Sequence, residues 1–308
     1  MRKVEHIKIK GKLSVNELIK LMGGAGVMGS GRLARAVDIL EEMIKDKECK
    51  VFFGQAGAMV PGGMRSIISD FIRNGFVDVF VCTGASLTHD LVEALGYRHE
   101  IGNAGADDAE LHGKGKDRMW DSYMPNEVYG GMEDFFEKYW DDFSSCGKIN
   151  ELLWKIGSKL KDEESILYVC YKKKVPIFCP ALSDSGIGLM IWGRKAKGKK
   201  IQVDAFEDMN DIMDLAWTSK KAGVFYVGGG VPKNFIQQAM QLSPRNAEYG
   251  VQISTDRAEY GGSSGASLKE GVSWGKMNEK AKFVDVYLDA TVALPLIYGA
   301  LIERFIND

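Results

Sequence analysis

The chain has 308 residues and a mass of 34.0 kDa, enough to bury a large core as one big α/β domain or two smaller ones. Its composition, 45% hydrophobic and 27% charged, is ordinary for a globular protein. A net charge of −2 gives no electrostatic reason to expect nucleic acid or an anionic membrane as partner.

No stretch reaches the roughly 18–20 apolar residues that span a bilayer. The opening MRKVEHIKIKGK has no apolar core, so no secretory signal is expected. The cysteines are Cys49, Cys82, Cys146, Cys170 and Cys179, an odd number with no CxxC pair, mostly inside apolar runs. That pattern predicts reduced, buried thiols in a cytoplasmic protein. Four scattered histidines, His6, His89, His99 and His112, predict no metal site.

In chain order, a capping box of Ser14 with Glu17 opens a helical N-terminal segment over 1–48. Apolar runs bounded by Gly, Asp or Ser predict strands at Val51–Phe53, Val77–Cys82, Val175–Cys179, Ile201–Ala205, Gly223–Val227, Tyr249–Ser254 and Phe283–Leu288. Helical periodicity predicts helices over 31–47, 62–74, 88–95, 131–143, 148–160, 207–221, 232–243 and 291–306. Such alternation implies an α/β fold: a single doubly wound, mostly parallel sheet with helices on both faces. The stretch 98–130 breaks the rhythm and is expected to be a functional or interface loop. With no repeat and no low-complexity linker, one domain over 1–308 is the simplest expectation.

Gly24-Ala-Gly26-Val-Met-Gly29 spells GxGxxG, but a helix precedes it where a dinucleotide fingerprint needs a strand; a helix–helix turn is expected. Gly228-Gly229-Gly230 is a better anion cradle, because a strand runs into it and Pro232 follows in the first turn of a helix. Thr83-Gly84, Asp184, Thr255 and Asp289 also follow predicted strands, at the edge where open α/β sheets bind ligands. Lys276 follows a Gly-rich loop, Gly261 to Ala266, and stands near Glu270 and Trp274. A dry pocket there would hold its amine neutral enough to attack an imine.

Ser273-Trp-Gly-Lys276, with Asp289-Ala290 beyond it, resembles the signature of the deoxyhypusine synthase family and its homospermidine synthase relatives. Cys179-Pro-Ala-Leu-Ser-Asp184, Gly228-Gly-Gly230, Ser264-Gly-Ala266 and Met124-Pro-Asn-Glu-Val-Tyr129 fall in the family's order. The resemblance runs along nearly the whole chain. It implies an NAD-dependent transferase that moves the aminobutyl group of spermidine through an imine on Lys276. It assigns Thr83, Gly84, Asp184, Gly228, Gly229, Thr255, Asp289 and Ala290 to the cofactor, and Glu270 and Trp274 to the polyamine. It also implies a homotetramer with sites between subunits.

Several polyamine anchors depart from the family's better-known pattern. Leu189, Asn234 and Ser263 stand where anchoring residues are expected, Thr88-His89 replaces an acid pair, and Gly57-Ala58 replaces polar cofactor contacts. Each missing charge-assisted hydrogen bond is worth about 1.5–3 kcal/mol. His89 and Asn234 are therefore candidate substrate contacts, as are Asp90, Asp107, Asp108 and Glu110. The acceptor is either a lysine of the hypusine-bearing translation factor or free putrescine, as in homospermidine synthesis. Two further readings are a non-catalytic NAD- or polyamine-binding relative and an ordinary NAD oxidoreductase.

Overall fold

The computed structural model describes residues 2–306. Helices α1 (Val15–Ala25) and α2 (Met28–Lys45) come first, then strand β1 (Cys49–Gln55) and helix α3 (Arg65–Arg73). Strand β2 (Val79–Cys82) runs into α4 (Gly84–Ala94). An excursion follows, made of β3 (Glu100–Ile101), α5 (Asp108–Gly113), β4 (Lys116–Met119) and β5 (Ser122–Pro125). Helices α6 (Val128–Lys138), α7 (Trp140–Ser144), α8 (Ile149–Ser158) and α9 (Ile166–Lys173) precede the short strand β6 (Ile177–Phe178) and α10 (Gly186–Ala196). The remainder alternates through α11 (Ala205–Trp217), β7 (Lys221–Val227), α12 (Gly230–Leu242), β8 (Ala247–Ile253), α13 (Glu270–Ser273), β9 (Met277–Val286) and α14 (Ala290–Ile306). Among these residues no helix is long and apolar enough to cross a membrane.

The chain divides into two compact units: residues up to 55, 74–81 and from 210 onward form the first, and 56–73 with 82–209 the second. In the first, strands lie in the order β2-β1-β7-β8-β9, and the pairs β1–β7, β7–β8 and β8–β9 are parallel. Val51, Phe52, Phe53, Val224, Phe225 and Val251 are buried in a row of near-continuous apolar strands, as expected where helices cover both faces. Two glycines identify those faces. A Cβ on Gly223 would lie 2.0 Å from the Met43 sulfur of α2, whereas one on Gly54 would meet Ile236 of α12 at 3.1 Å. Gly54 pairs with Tyr226, an odd number of residues from Gly223, so α2 and α12 lie on opposite faces. The doubly wound arrangement stands as the sequence predicts.

The helical opening is narrower than expected: 2–13 carry no helix, and α1 begins after the Ser14 cap. Ser14 Oγ accepts from Glu17 N at 3.2 Å, and Glu303 of α14 accepts from Val15 N and Asn16 N at 3.1 Å each. The GxGxxG stretch is a helix–helix turn, closed by Gly26 at φ 68°.

In the second unit the 98–130 stretch is no bare loop; β3, β5 and β4 pair there as an antiparallel sheet. The strand expected at Ile201–Ala205 is absent, and only an isolated bridge joins Asp204 to Lys148. Helix α9, which the sequence reading passed over, is pinned by the buried carboxylate of Asp90 on α4. Asp90 Oδ1 accepts from Arg65 Nε at 2.7 Å and Ile166 N at 3.0 Å; its Oδ2 accepts from Ser165 Oγ at 2.8 Å and Leu167 N at 2.9 Å. A charge so enclosed is tolerated because every lone pair direction is used.

Replacing Asp90 by alanine leaves Arg65 half of its ion pairing and strips the α9 start of its acceptor. Asp90→Ala is expected to lower the unfolding free energy by about 3–5 kcal/mol in urea titrations. A loss under about 1 kcal/mol would show that α9 is held by packing alone.

Candidate active site

Three strand ends lie level at one edge of the first unit. Gly228 N donates to Ile253 O at 2.9 Å, and Ser254 N donates to Val286 O at 3.1 Å. Gly228, Gly229, Thr255, Asp289 and Ala290, all expected at such an edge, are thereby placed along it. The triple glycine has a steric reason. Gly228 and Gly230 have φ of 70° and 59°, and a Cβ on Gly229 would lie 2.2 Å from Ser264 Cα. No side chain caps α12 after this turn, and a Cβ on Gly230 would meet nothing within 4 Å. An uncapped helix N-terminus beside open space fits the pyrophosphate of a dinucleotide. Asp289 Oδ1 is engaged by Thr291 N at 2.8 Å, and Asp256 Oδ2 by the hydroxyl of Ser264.

Lys276 is built by a tight turn. Its N–H donates to Gly271 O at 2.8 Å, and Gly275 at φ 67° lets the chain reverse into β9. Met277 pairs with Ala247 at the amino end of β8 and Val286 with Ile253 at its carboxyl end, so Lys276 stands far from Asp289 along the strand. Helix α12 joins the two places. A Cβ on Gly271 would lie 3.5 Å from Lys276 Cβ and 3.8 Å from the side-chain nitrogen of Gln237. Gln237 is seven residues past Gly230, about 10 Å along the helix. Lys276 Nζ lies 4.9 Å from the centre of the Trp274 ring, a cation–π distance. Trp274 is 57% exposed, so the chain's own residues do not close the dry pocket expected around Lys276. Glu270 is exposed on α13, and Asn234 half-buried on the first turns of α12.

The residue that sequence reasoning missed is Lys233. It is 1% exposed, and its Nζ donates to Ser263 O and Ala266 O at 2.6 Å each. Burial pushes it down to about 8; Asp285 and Glu270 oppose that shift, and the charge of Lys276 adds to it. Below it runs a polar row across three strands, since Tyr226 pairs with Gln252 and Gln252 with Asp285. Gln252 Nε2 donates to Ala266 O at 3.1 Å, and Asp285 Oδ1 accepts from Leu268 N at 3.1 Å. Burial holds the Asp285 carboxyl above its usual range despite that bond and the charges of Lys233 and Arg32. The Tyr226 hydroxyl and Gln252 Oε1 are buried without a partner among the described residues. Polar side chains at one register of otherwise apolar strands were the available signal.

In the second unit, Thr83 caps α4 by accepting from Ser86 N at 3.2 Å, and Ser86 Oγ lies 3.4 Å from Gly57 O. A Cβ on Gly84 would meet Ser185 at 2.5 Å, and exposed Asp184 immediately precedes that residue. Thr83, Gly84 and Asp184 are thus gathered around one turn. Thr88 is structural here: its hydroxyl donates to Gly84 O at 2.9 Å and accepts from Ile187 N at 3.1 Å. The acids offered as alternative amine contacts are committed elsewhere. Asp90 holds α9, Asp107 caps α5, Asp108 takes two hydrogen bonds from Arg118, and Glu110 pairs with Lys114. Half-buried His89 keeps a different partner, His99, at 2.9 Å. Leu189 is exposed on α10.

A family model described as deoxyhypusine synthase matches residues 17–301. A "Probable deoxyhypusine synthase 1" of Methanosarcina mazei is 45% identical over 98% of this chain and 95% of its own length. One of the same name from Archaeoglobus fulgidus is 40% identical over 96% of this chain and 97% of its own. Among solved structures, the "Crystal Structure of a putative deoxyhypusine synthase from Entamoeba histolytica" superposes with a TM-score of 0.69 at 19% identity, covering 97% of each chain. That likeness supports the fold.

The depressed Lys233 makes a signed prediction. Between about 8 and 10.5 the unfolded chain binds a proton at this position that the folded chain does not. Stability contributed here therefore rises with pH across that window. Denaturant titrations of wild type and Lys233→Met should show their difference shifting toward wild type from pH 8 to 10, at up to about 1.4 kcal/mol per pH unit. A difference that is flat with pH would mean that the ammonium is not buried.

Proposed function

The chain belongs to the deoxyhypusine synthase family and is an aminobutyl-transferring enzyme, and on that premise we propose that Lys276 carries the aminobutyl group from spermidine to a lysine of the hypusine-bearing translation factor. The observation that supports this most is the placement of Lys276 Nζ over the Trp274 ring and within electrostatic reach of buried Lys233.

The uncapped α12 turn at Gly228–Gly230, with Thr255, Asp289 and Ala290 along the same edge, would hold NAD. Bound NAD supplies the sink and later the source of one hydride. Thr83, Gly84 and Asp184, which the family resemblance assigns to the cofactor, gather around one turn of the second unit. Once the carbon–nitrogen bond of spermidine is oxidised to an imine, Lys276 attacks its carbon. Diaminopropane leaves with its nitrogen, and the four-carbon fragment stays on Lys276 as an imine. The acceptor amine then displaces Lys276, which returns to its free form. Glu270 offers a carboxylate to the cationic end of the polyamine, while Trp274 presents an apolar face to its methylenes and a π face to its charge. A second copy within a homotetramer would cover the open side of Trp274. The names of the relatives favour the protein acceptor over putrescine.

Intact-mass measurement after incubation with NAD and spermidine, followed by borohydride reduction, tests this directly. Wild type should gain one aminobutyl group and Lys276→Arg none. An unmodified wild type that binds NAD would remove Lys276 as the carrier.

A further inference from the structure

The backbone around Lys276 is tied on every side, and one of the ties is a side chain from outside its turn. The Gly275 carbonyl and the Lys276 N–H belong to a single peptide unit. Its N–H donates to Gly271 O at 2.8 Å. Its carbonyl accepts from the side-chain nitrogen of Asn246, a half-buried residue just ahead of β8. That peptide plane is therefore held at both ends. One residue along, Lys276 O accepts from Ala247 N at 3.2 Å. A Cβ on Gly275 would lie 3.4 Å from the Asn246 nitrogen, so the two segments pass in contact.

These bonds count for more here than they would inside a regular ladder. Ala247 pairs with Met277, but the next paired residues are Tyr249 and Lys282. Glu248 alone thus stands against 278–281 of β9, and the ladder breaks immediately after the Lys276 turn. Continuous strand pairing does not reach Lys276 from that side. On the other side Gly275, at φ 67°, has no Cβ to restrict it, so the turn is loose unless tied. Asn246 itself is delivered to a fixed place. Ser243 N donates to Ala239 O at 3.1 Å where α12 ends, and Arg245 NH1 donates to Lys220 O just before β7.

We infer that Asn246 is a positioning residue for the aminobutyl transfer: its amide holds the peptide unit from which Lys276 projects, and so keeps Nζ over the Trp274 ring. This rests on the proposed role of Lys276 as the carrier. The contact needs a donor, which an amide nitrogen supplies. Alanine has none, and an ionised aspartate would set a lone pair against the Gly275 carbonyl. The Lys233 clamp fixes the loop that leads into the turn, and Asn246 fixes the point where the turn meets β8. A nucleophile displaced by a fraction of its reach loses rate of attack while the ligands still bind.

Two measurements on the full-length protein separate position from chemistry. Amide hydrogen exchange at Lys276 should run about 10-fold faster in Asn246→Ala than in wild type, the size of one lost hydrogen bond. The amides of Val251 to Ile253 should exchange as before. The second measurement follows the Lys276 adduct in a single turnover with NAD and spermidine, stopped with borohydride at successive times. Asn246→Ala should form it about 10-fold more slowly at saturating spermidine, with NAD affinity and the half-saturating spermidine concentration kept. Asn246→Asp, which keeps the shape and removes the donor, should be as slow. Unchanged exchange at Lys276, or a wild-type adduct rate in either variant, would overturn the inference. Faster exchange in Asn246→Ala with no adduct even in wild type would instead remove Lys276 as the carrier, and the catalytic meaning of Asn246 with it.

Discussion

The candidate site depends on one buried ammonium group. Lys233 leaves the first turn of α12 and ends among carbonyls of the Gly-rich loop, donating to Ser263 O and Ala266 O. A charge in such a place is costly unless it is hydrogen-bonded and balanced. Here Asp285 and Glu270 supply the opposing charge, and the loop carbonyls supply the acceptors. The loop is fixed from below as well, by Gln252 to Ala266 O and by Asp285 to Leu268 N. From that fixed loop the chain passes through Glu270 and Trp274 into Lys276, so the placement of Lys276 follows from the clamp. The glycine at 229 is required by the same loop, because Ser264 lies against it.

Much of the fold could be read from the sequence. Strands such as Lys221–Val227 announced themselves by β-branched and aromatic runs ended by glycine, and α1 by a capping box that the structure contains. Where the reading failed, tertiary bonds decided. Ile201-Gln-Val-Asp-Ala205 alternates like a strand, yet Asp204 makes a single bridge and its side chain accepts from Phe206 N at the start of α11. Helix α9 has apolar residues on too many sides for a clear period, and its start is set by Asp90, 76 residues earlier than Ile166. Lys233 went unnoticed because a lysine after proline in a turn is usually solvated. Only the register that places Tyr226, Gln252 and Asp285 in one row shows that a polar pocket lies beneath it.

The departures from the family's familiar anchors acquire distinct physical meanings. Thr88 joins α4 to the start of α10 through its hydroxyl and has become part of the framework. His89, its neighbour, is instead tied to His99, which in turn meets Glu93. Asp107, Asp108 and Glu110 spend their charges inside the 98–130 excursion, on a helix cap and on Arg118 and Lys114.

Under the proposed function, the loop clamped by Lys233 and the triple glycine form one cofactor-and-nucleophile site along α12. A crystal structure of the protein with NAD tests that most directly. The pyrophosphate is expected at the amino end of α12, against Gly228–Gly230, with the nicotinamide directed along the helix toward Lys276. A pyrophosphate seated instead at the Gly24–Gly29 turn, with the α12 end empty, would contradict it.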